Sequence, residues 1–423
     1  EVYTVDENFN VIEDAYIFIE NGIIKEIDSM NDYNLEYEND FTEVIDGSGK
    51  IAVPGLINTH THAAMTLLRG YADDFPLKNW LEEKIWPFES RLREDDFYWG
   101  SKLAIMEMIK TGTTTFSDMY FEMDKTAKAV KETGIRAVLS EGLIEENDGE
   151  KGLINSVEFA KKWQNKADGR ITTMLAPHSP YTCSTEYIKN IINHSEKNDL
   201  AIHIHLAETK NEVNIIEEKY NKSPTKYLND IGLFKRDVTA AHCIYLDEND
   251  LNTLADNDIS VAHNPLSNMK LGSGIADITK MIDKKINVSL GTDGVASNNN
   301  LNILEEAKAG SYLQKVNNLD ASLIDTRELL KMLTINGAKA LNLDNIGRLK
   351  KDFIADLVLI NTKDDSYYYP HHNNLSNLLY SSTSNNADTV IIDGTIIYED
   401  GDFRNIDKME VFKEVDRRAK ELS

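Results

Sequence analysis

The sequence predicts an α/β protein: a (β/α)8 TIM barrel carrying a small β-sandwich domain built from both chain ends. Three observations predict it. Strand-like apolar runs alternate with helical patterns through eight units between about Ile51 and Asn342. Near-continuous apolar strands of this kind belong to parallel sheets covered on both faces. The two ends of the chain carry short β runs with turn signals instead. Finally, the chemically capable residues fall where the barrel strands would end, which is where βα loops build an active face. An open doubly wound sheet competes on pattern alone. The expected division is 1–50 for the first part of the β domain, 51–345 for the barrel, and 346–423 for the rest of the β domain and a terminal helix.

In chain order, Ala15–Glu20 and Ile23–Ile27 flank Asn21-Gly22, a dipeptide whose tolerance of positive φ signals a hairpin. The predicted barrel strands are Ile51–Asn58, Thr113–Asp118, Ile135–Ser140, Ile171–Ala176, Ala201–Leu206, Val238–Ala241, Ile259–His263 and Asn287–Gly291. Helical patterns between them include Gly100–Lys110, Thr126–Thr133, Thr185–Asn198 and Leu301–Val316. Ala355–Ile360 and Thr389–Tyr398 return to β character and should pair with the start of the chain. Asp364–Asn386, rich in Tyr, Ser and Asn, reads as an irregular or partly helical connection.

Composition narrows the function classes. Of 423 residues, 45 are Lys or Arg and 71 are Asp or Glu, a formal charge of −26. An acidic surface disfavours nucleic acid and anionic membrane as partners, since both need clustered positive charge. With 41% hydrophobic and 27% charged residues the chain has the make-up of a globular protein. No apolar run approaches the roughly 20 residues of a bilayer crossing. Glu1–Glu7 show neither a basic region nor the apolar core of a signal peptide. Cys183 and Cys243 are the only cysteines, too few for a disulfide framework or a Cys-rich zinc site, so a cytoplasmic setting is expected.

The first predicted barrel strand runs into His60-Thr61-His62, and side chains two apart on a strand point the same way. The fifth ends in His205, with Glu208 one loop step on, where a carboxylate would face a ligand beside a metal. His203 lies deeper and reads as a hydrogen-bonded core histidine. The sixth ends in His242-Cys243 and the eighth in Asp293. His60, His62, His205 and Asp293 can therefore meet one divalent cation. Imidazole nitrogen with one carboxylate suits Zn2+, and Fe2+ fits the same set. The fourth strand ends in Pro177-His178 and offers no Lys for a bridging carbamate, which favours one metal over two.

These segments resemble the amidohydrolase superfamily, in its deaminase and chlorohydrolase branch. The resemblance covers almost the whole chain and rests on Val53–His62, Ala176–Tyr181, His203–Thr209, His263–Asn268 and Gly291–Asn298. Within the branch it is nearest to the deaminases of 5-methylthioadenosine and S-adenosylhomocysteine. It implies Glu208 and His242 as proton-handling residues, Asp293 as acceptor of the proton from water, and His178 and Glu89 as substrate contacts, with Glu89 gripping ribose hydroxyls. Trp80 and Trp86 would cover a purine or pack in the core, and Ser297 and Asn298 would line the pocket. One departure stands out: the third strand presents Glu141 where matching members usually present Arg. A carboxylate there, with Glu145, Glu146 and Asp148 downstream, would repel the carboxylate of a homocysteine tail and favour methylthioadenosine, adenosine or a cationic-tailed substrate. The implied partner is a small purine nucleoside; a homo-oligomer stays open, since no stretch specifies an interface. The competing readings are a hydrolase acting on guanine or an s-triazine, and a catalytically silent barrel.

Overall fold

The computed structural model describes residues 1–33, 43–75, 77–382 and 387–422, apart from the side chains of Leu77, Lys78 and Asp148. Eight parallel barrel strands follow one another in chain order: Leu56–Thr61, Thr113–Tyr120, Arg136–Leu143, Ile171–Thr173 with its continuation Ala176–Pro177, Ile202–Leu206, Val238–His242, Ser260–His263 and Asn287–Leu290. They are called the first to eighth strands below. The first four pair as one sheet and the last four as another. The seams close through backbone bonds, His203 N to Leu175 O at 2.9 Å on one side and Asp293 N to His60 O at 2.9 Å on the other. The ring is therefore complete, and every strand end faces the same mouth.

The expected first strand, Ile51–Asn58, is in fact two. Lys50–Pro54 joins the sheet made from the chain ends, and Leu56–Thr61 joins the barrel. An apolar run buried in either sheet looks the same in sequence. The break comes at Gly55, whose N–H bonds to Asp356 O at 2.9 Å while the preceding Pro54 has no N–H to continue a ladder. The third strand also runs farther than expected, to Leu143, so Glu141 lies on the strand itself.

The terminal sheet has seven strands in the order Asp402–Phe403, Thr395–Glu399, Ala387–Ile392, Leu357–Asn361, Lys50–Pro54, Val2–Tyr3, Val11–Ile12. Packed against it is the hairpin Ala15–Glu20 with Ile23–Ser29, whose Ile17, Ile19, Ile24 and Ile27 meet Val2, Leu357 and Ile391 in one apolar layer. Its turn places Asn21 at φ 52° and Gly22 at φ 78°, the left-handed pair that the dipeptide predicts. Arg136, at the start of the third strand, makes a two-point pair with Asp356 at 2.7 and 3.0 Å, fully inside the protein, and ties the barrel floor to this sheet. The polar connection holds short helical turns at Ser366–Tyr368 and Asn374–Ser381; its residues 383–386 lie outside those described. The helix Lys408–Leu422 lies against Glu94–Lys110, where Arg418 pairs with the buried Asp96. Among the described residues no helix is long and apolar enough to cross a membrane.

Candidate metal and active site

At the mouth of the barrel the strand ends bring their polar side chains together. His60, His62 and Asp293 each offer a ligand atom within 4.8 Å of the others, and so do His60, His205 and His242. His60 is common to both groups, and His242, which the sequence reading sets apart from the ligands, stands in the same cluster. Close approach is possible because Gly291 lacks a Cβ: one built there would lie 2.4 Å from Asn264 Oδ1 and 2.7 Å from His60 Cβ. Ala207, His242 and Asp293 all take left-handed φ angles (51°, 72° and 62°), a strained backbone of the sort that functional loops retain.

Each imidazole is oriented by a partner on Nδ1. His62 Nδ1–H donates to Met119 O at 2.5 Å, His205 Nδ1–H to His178 O at 2.7 Å, and His242 Nδ1–H to Asn268 Oδ1 at 2.8 Å. His60 Nδ1 bonds His203 Nε2 at 3.0 Å, and His203 Nδ1 bonds Ser117 Oγ at 3.2 Å. In all four rings Nε2 is left as the nitrogen for a ligand, and such outer partners set tautomer and angle in metal sites. His203 is thus more than a core histidine: it aims His60. Asp293 Oδ2 accepts from Ser267 Oγ at 2.6 Å and Ser297 Oγ at 3.0 Å, so Oδ1 is turned to His62 Nε2 at 3.2 Å and His60 Nε2 at 3.6 Å.

The donors fit a divalent cation. His60 Nε2 is buried with no hydrogen-bond partner, an arrangement that is costly unless something binds there. Burial holds His60 down at about 4 and His178 at about 4, and drives His205 well below the ordinary histidine range, so these rings are neutral. Burial opposes charge on His62 too, but Asp293 and the Met119 carbonyl outweigh it and raise that ring to about 9. Burial likewise works against the Asp293 anion, yet its close contacts with His60 and His62 hold it well below the usual carboxylate range. An anionic carboxylate facing the neutral rings of His60 and His205, and a His62 ring that gives up its proton when an ion binds, is the ligand chemistry that Zn2+-type ions take.

The remaining candidates surround this centre. Glu208 sits 4.0 Å from His242 Nε2, and burial lifts its carboxyl above the ordinary range. His178 bonds Ser179 and Thr182 through Nδ1 at 3.2 and 3.1 Å and packs 4.8 Å from the His205 ring. Glu89 receives the hydroxyl of Tyr120, whose ring lies 5.9 Å from His62. Ser297 is committed to Asp293, as above. Trp80 is buried in the apolar core, its indole N–H given to Ala72 O at 3.0 Å, whereas Trp86 is half exposed. Glu141 accepts the Met123 N–H at 3.0 Å, at the start of the helix Met123–Thr133. Glu145 is drawn away to Ser184, and the Asp148 side chain lies outside the described residues. Sequence reasoning passed over Asn268 and Ser267, although both stand in the Asn264–Asn268 segment, and Tyr120, which no spacing would single out.

The Amidohydrolase family matches residues 51–397. A 5-methylthioadenosine/S-adenosylhomocysteine deaminase of Halothermothrix orenii is 54% identical over 420 residues, covering 99% of this chain and 97% of that protein. A protein of the same name from Desulforamulus reducens is 46% identical, covering 100% and 97%. Among solved structures, an adenosine deaminase from Xanthomonas campestris with bound zinc superposes with a TM-score of 0.94 at 29% identity, covering 100% of this chain and 96% of that one. The zinc complex of atrazine chlorohydrolase TrzN from Arthrobacter aurescens shares the fold, with a TM-score of 0.92 at 22% identity over 99% and 98% of the two chains.

Proposed function

Because the chain belongs to the amidohydrolase family, we propose that its barrel mouth carries out hydrolytic deamination of adenine nucleosides, 5′-methylthioadenosine foremost, giving the inosine analogue and ammonia. The observation that carries this reading is the meeting of two groups that share His60, one with His62 and Asp293 and one with His205 and His242, each ring aimed through Nδ1; from them the reading takes His60, His62, His205 and Asp293 as ligands. These four residues would hold one divalent cation, zinc by the analogy of the zinc-bound relative. When bound, such an ion supplies hydroxide at neutral pH, since it lowers the pKa of water from 15.7 to about 7.

The chain's own groups handle the protons and the substrate. Asp293 accepts the proton that water sheds, held in place by the two serine hydroxyls on Oδ2. His242, locked to Asn268, presents Nε2 beside it and orients the attacking water. Glu208 retains its proton more readily than an exposed carboxyl and gives it to the ring nitrogen next to the amino-bearing carbon. Negative charge then never accumulates on the purine; the proton held on Asp293 passes to the amino group, which leaves as ammonia when its C–N bond breaks, and the new hydroxyl returns a proton to Glu208 as the carbonyl forms. A positioned acid or base of this kind contributes typically about 10²–10⁴-fold. Glu89, oriented by Tyr120, grips the ribose hydroxyls, and His178 contacts the base. The carboxylate that Glu141 presents, where matching members carry Arg, favours a neutral 5′ tail over the carboxylate of S-adenosylhomocysteine. A small substrate and the acidic composition suit a cytoplasmic enzyme.

A panel of methylthioadenosine, adenosine, S-adenosylhomocysteine, guanine and an aminotriazine tests this, with ammonia release as readout. Turnover is expected on the first two, weaker on the third. Turnover confined to guanine or the triazine would overturn the nucleoside reading.

A further inference from the structure

Glu212 carries a buried carboxyl group, 2% exposed, that the chemistry above does not use. It stands in the first turn of the helix Lys210–Tyr220, where Thr209 Oγ1 receives the Glu212 N–H at 3.1 Å. An ordinary capping box would return the Glu212 carboxylate to the Thr209 N–H. Here it reaches farther back: Oε1 accepts the Ala207 N–H at 2.8 Å and Oε2 the Glu208 N–H at 3.0 Å. The Ala207 carbonyl in turn takes the N–H groups of Ile244 and Tyr245, both at 3.1 Å, from the loop that follows His242. The left-handed Ala207 is thus pinned from both sides, and the two loops that carry Glu208 and His242 are joined at that point.

We propose that Glu212 is a positioning residue for the reaction: its two oxygens hold consecutive amides and thereby aim the Glu208 carboxyl at the substrate beside His242. The clamp needs two acceptors on one planar group. Gln offers only one, and its NH2 would confront the second N–H. The inference rests on the proton role given to Glu208.

The test compares zinc-loaded wild type, Glu208→Gln, Glu212→Gln and the double variant on 5′-methylthioadenosine. In Glu212→Gln, kcat is expected to fall on the order of 10- to 100-fold while KM stays within about threefold and zinc content is unchanged. In the Glu208→Gln background the same substitution should cost less than about threefold, since groups acting as a unit are not additive. Glu212→Asp, which keeps both carboxyl oxygens but withdraws them by one methylene, should give a milder form of the same split and serves if the Gln variant does not fold. Wild-type kcat in Glu212→Gln beside an inactive Glu208→Gln would overturn the clamp alone, as would an equal loss in both backgrounds. Wild-type turnover in Glu208→Gln would overturn the proton role itself and the clamp with it.

Discussion

Replacing Glu208 with Gln separates proton transfer from everything else the site does. The side chain is mostly enclosed, 4.0 Å from His242 Nε2, and burial raises its carboxyl above the ordinary range. Gln has the same length and shape, and its NH2 can still donate to a ring nitrogen, so substrate binding should survive with KM within about threefold. What it cannot do is hand over a proton and take one back. A lost general acid typically costs about 10²–10⁴ in kcat, or about 3–5 kcal/mol at 1.36 kcal/mol per decade. The cation should stay, because Glu208 is not among the residues proposed to hold it. Ammonia release from methylthioadenosine, with metal content determined on the same sample, reads all three quantities. A kcat within about threefold of wild type would refute the reasoning, and so would a loss of kcat that merely tracks a loss of metal.

Other expectations follow from the same geometry. His205→Ala and Asp293→Ala should each lose the cation and all measurable deamination; full metal occupancy in both, by elemental analysis, would refute the ligand set. Glu141→Arg should raise turnover of S-adenosylhomocysteine relative to methylthioadenosine, at a cost of about 1 kcal/mol of stability because the Met123 N–H loses its acceptor; an unchanged substrate ratio would refute the tail argument. Asp96 is wholly buried; burial opposes its charge, but Arg93 and Arg418 outweigh that and hold its carboxyl below the ordinary 3.8. Its folded-state pKa being depressed, its contribution is present above pH 3.8 and is lost as pH falls through the lower folded value. Asp96→Asn should therefore be less stable than wild type by up to about 3 kcal/mol near neutral pH, with the gap closing in acid. Denaturant melts across pH check this, and a gap that is constant down to strong acid would contradict it.

That these side chains would cluster at the barrel mouth was legible in the sequence because strand periodicity and strand ends are local properties. His60 and His62 share a face two residues apart, and His205 and Asp293 stand where apolar runs stop. The hairpin was legible for the same reason, through Asn21-Gly22. What aims these groups was not. The carbonyls of Met119 and His178 and the amide of Asn268 reach their histidines only once the strands lie side by side. His203 looked like core because its partners, His60 and Ser117, are 143 and 86 residues away. The run Ile51–Asn58 hid a change of sheet because both destinations are buried and ask for the same residues. The contacts of Trp80 and Glu141 were out of reach of motif reading for the same reason: a backbone carbonyl takes the indole N–H, and the Met123 N–H is given to the carboxylate.

The central claim is that a single cation, held by three imidazoles and one carboxylate, makes the nucleophile for nucleoside deamination. Titrating metal-stripped protein with zinc and following ammonia release from methylthioadenosine tests it most directly. The rate should rise in proportion to bound zinc and level off at one ion per chain. A rate indifferent to bound zinc, or one that keeps climbing to two ions per chain, would contradict the account.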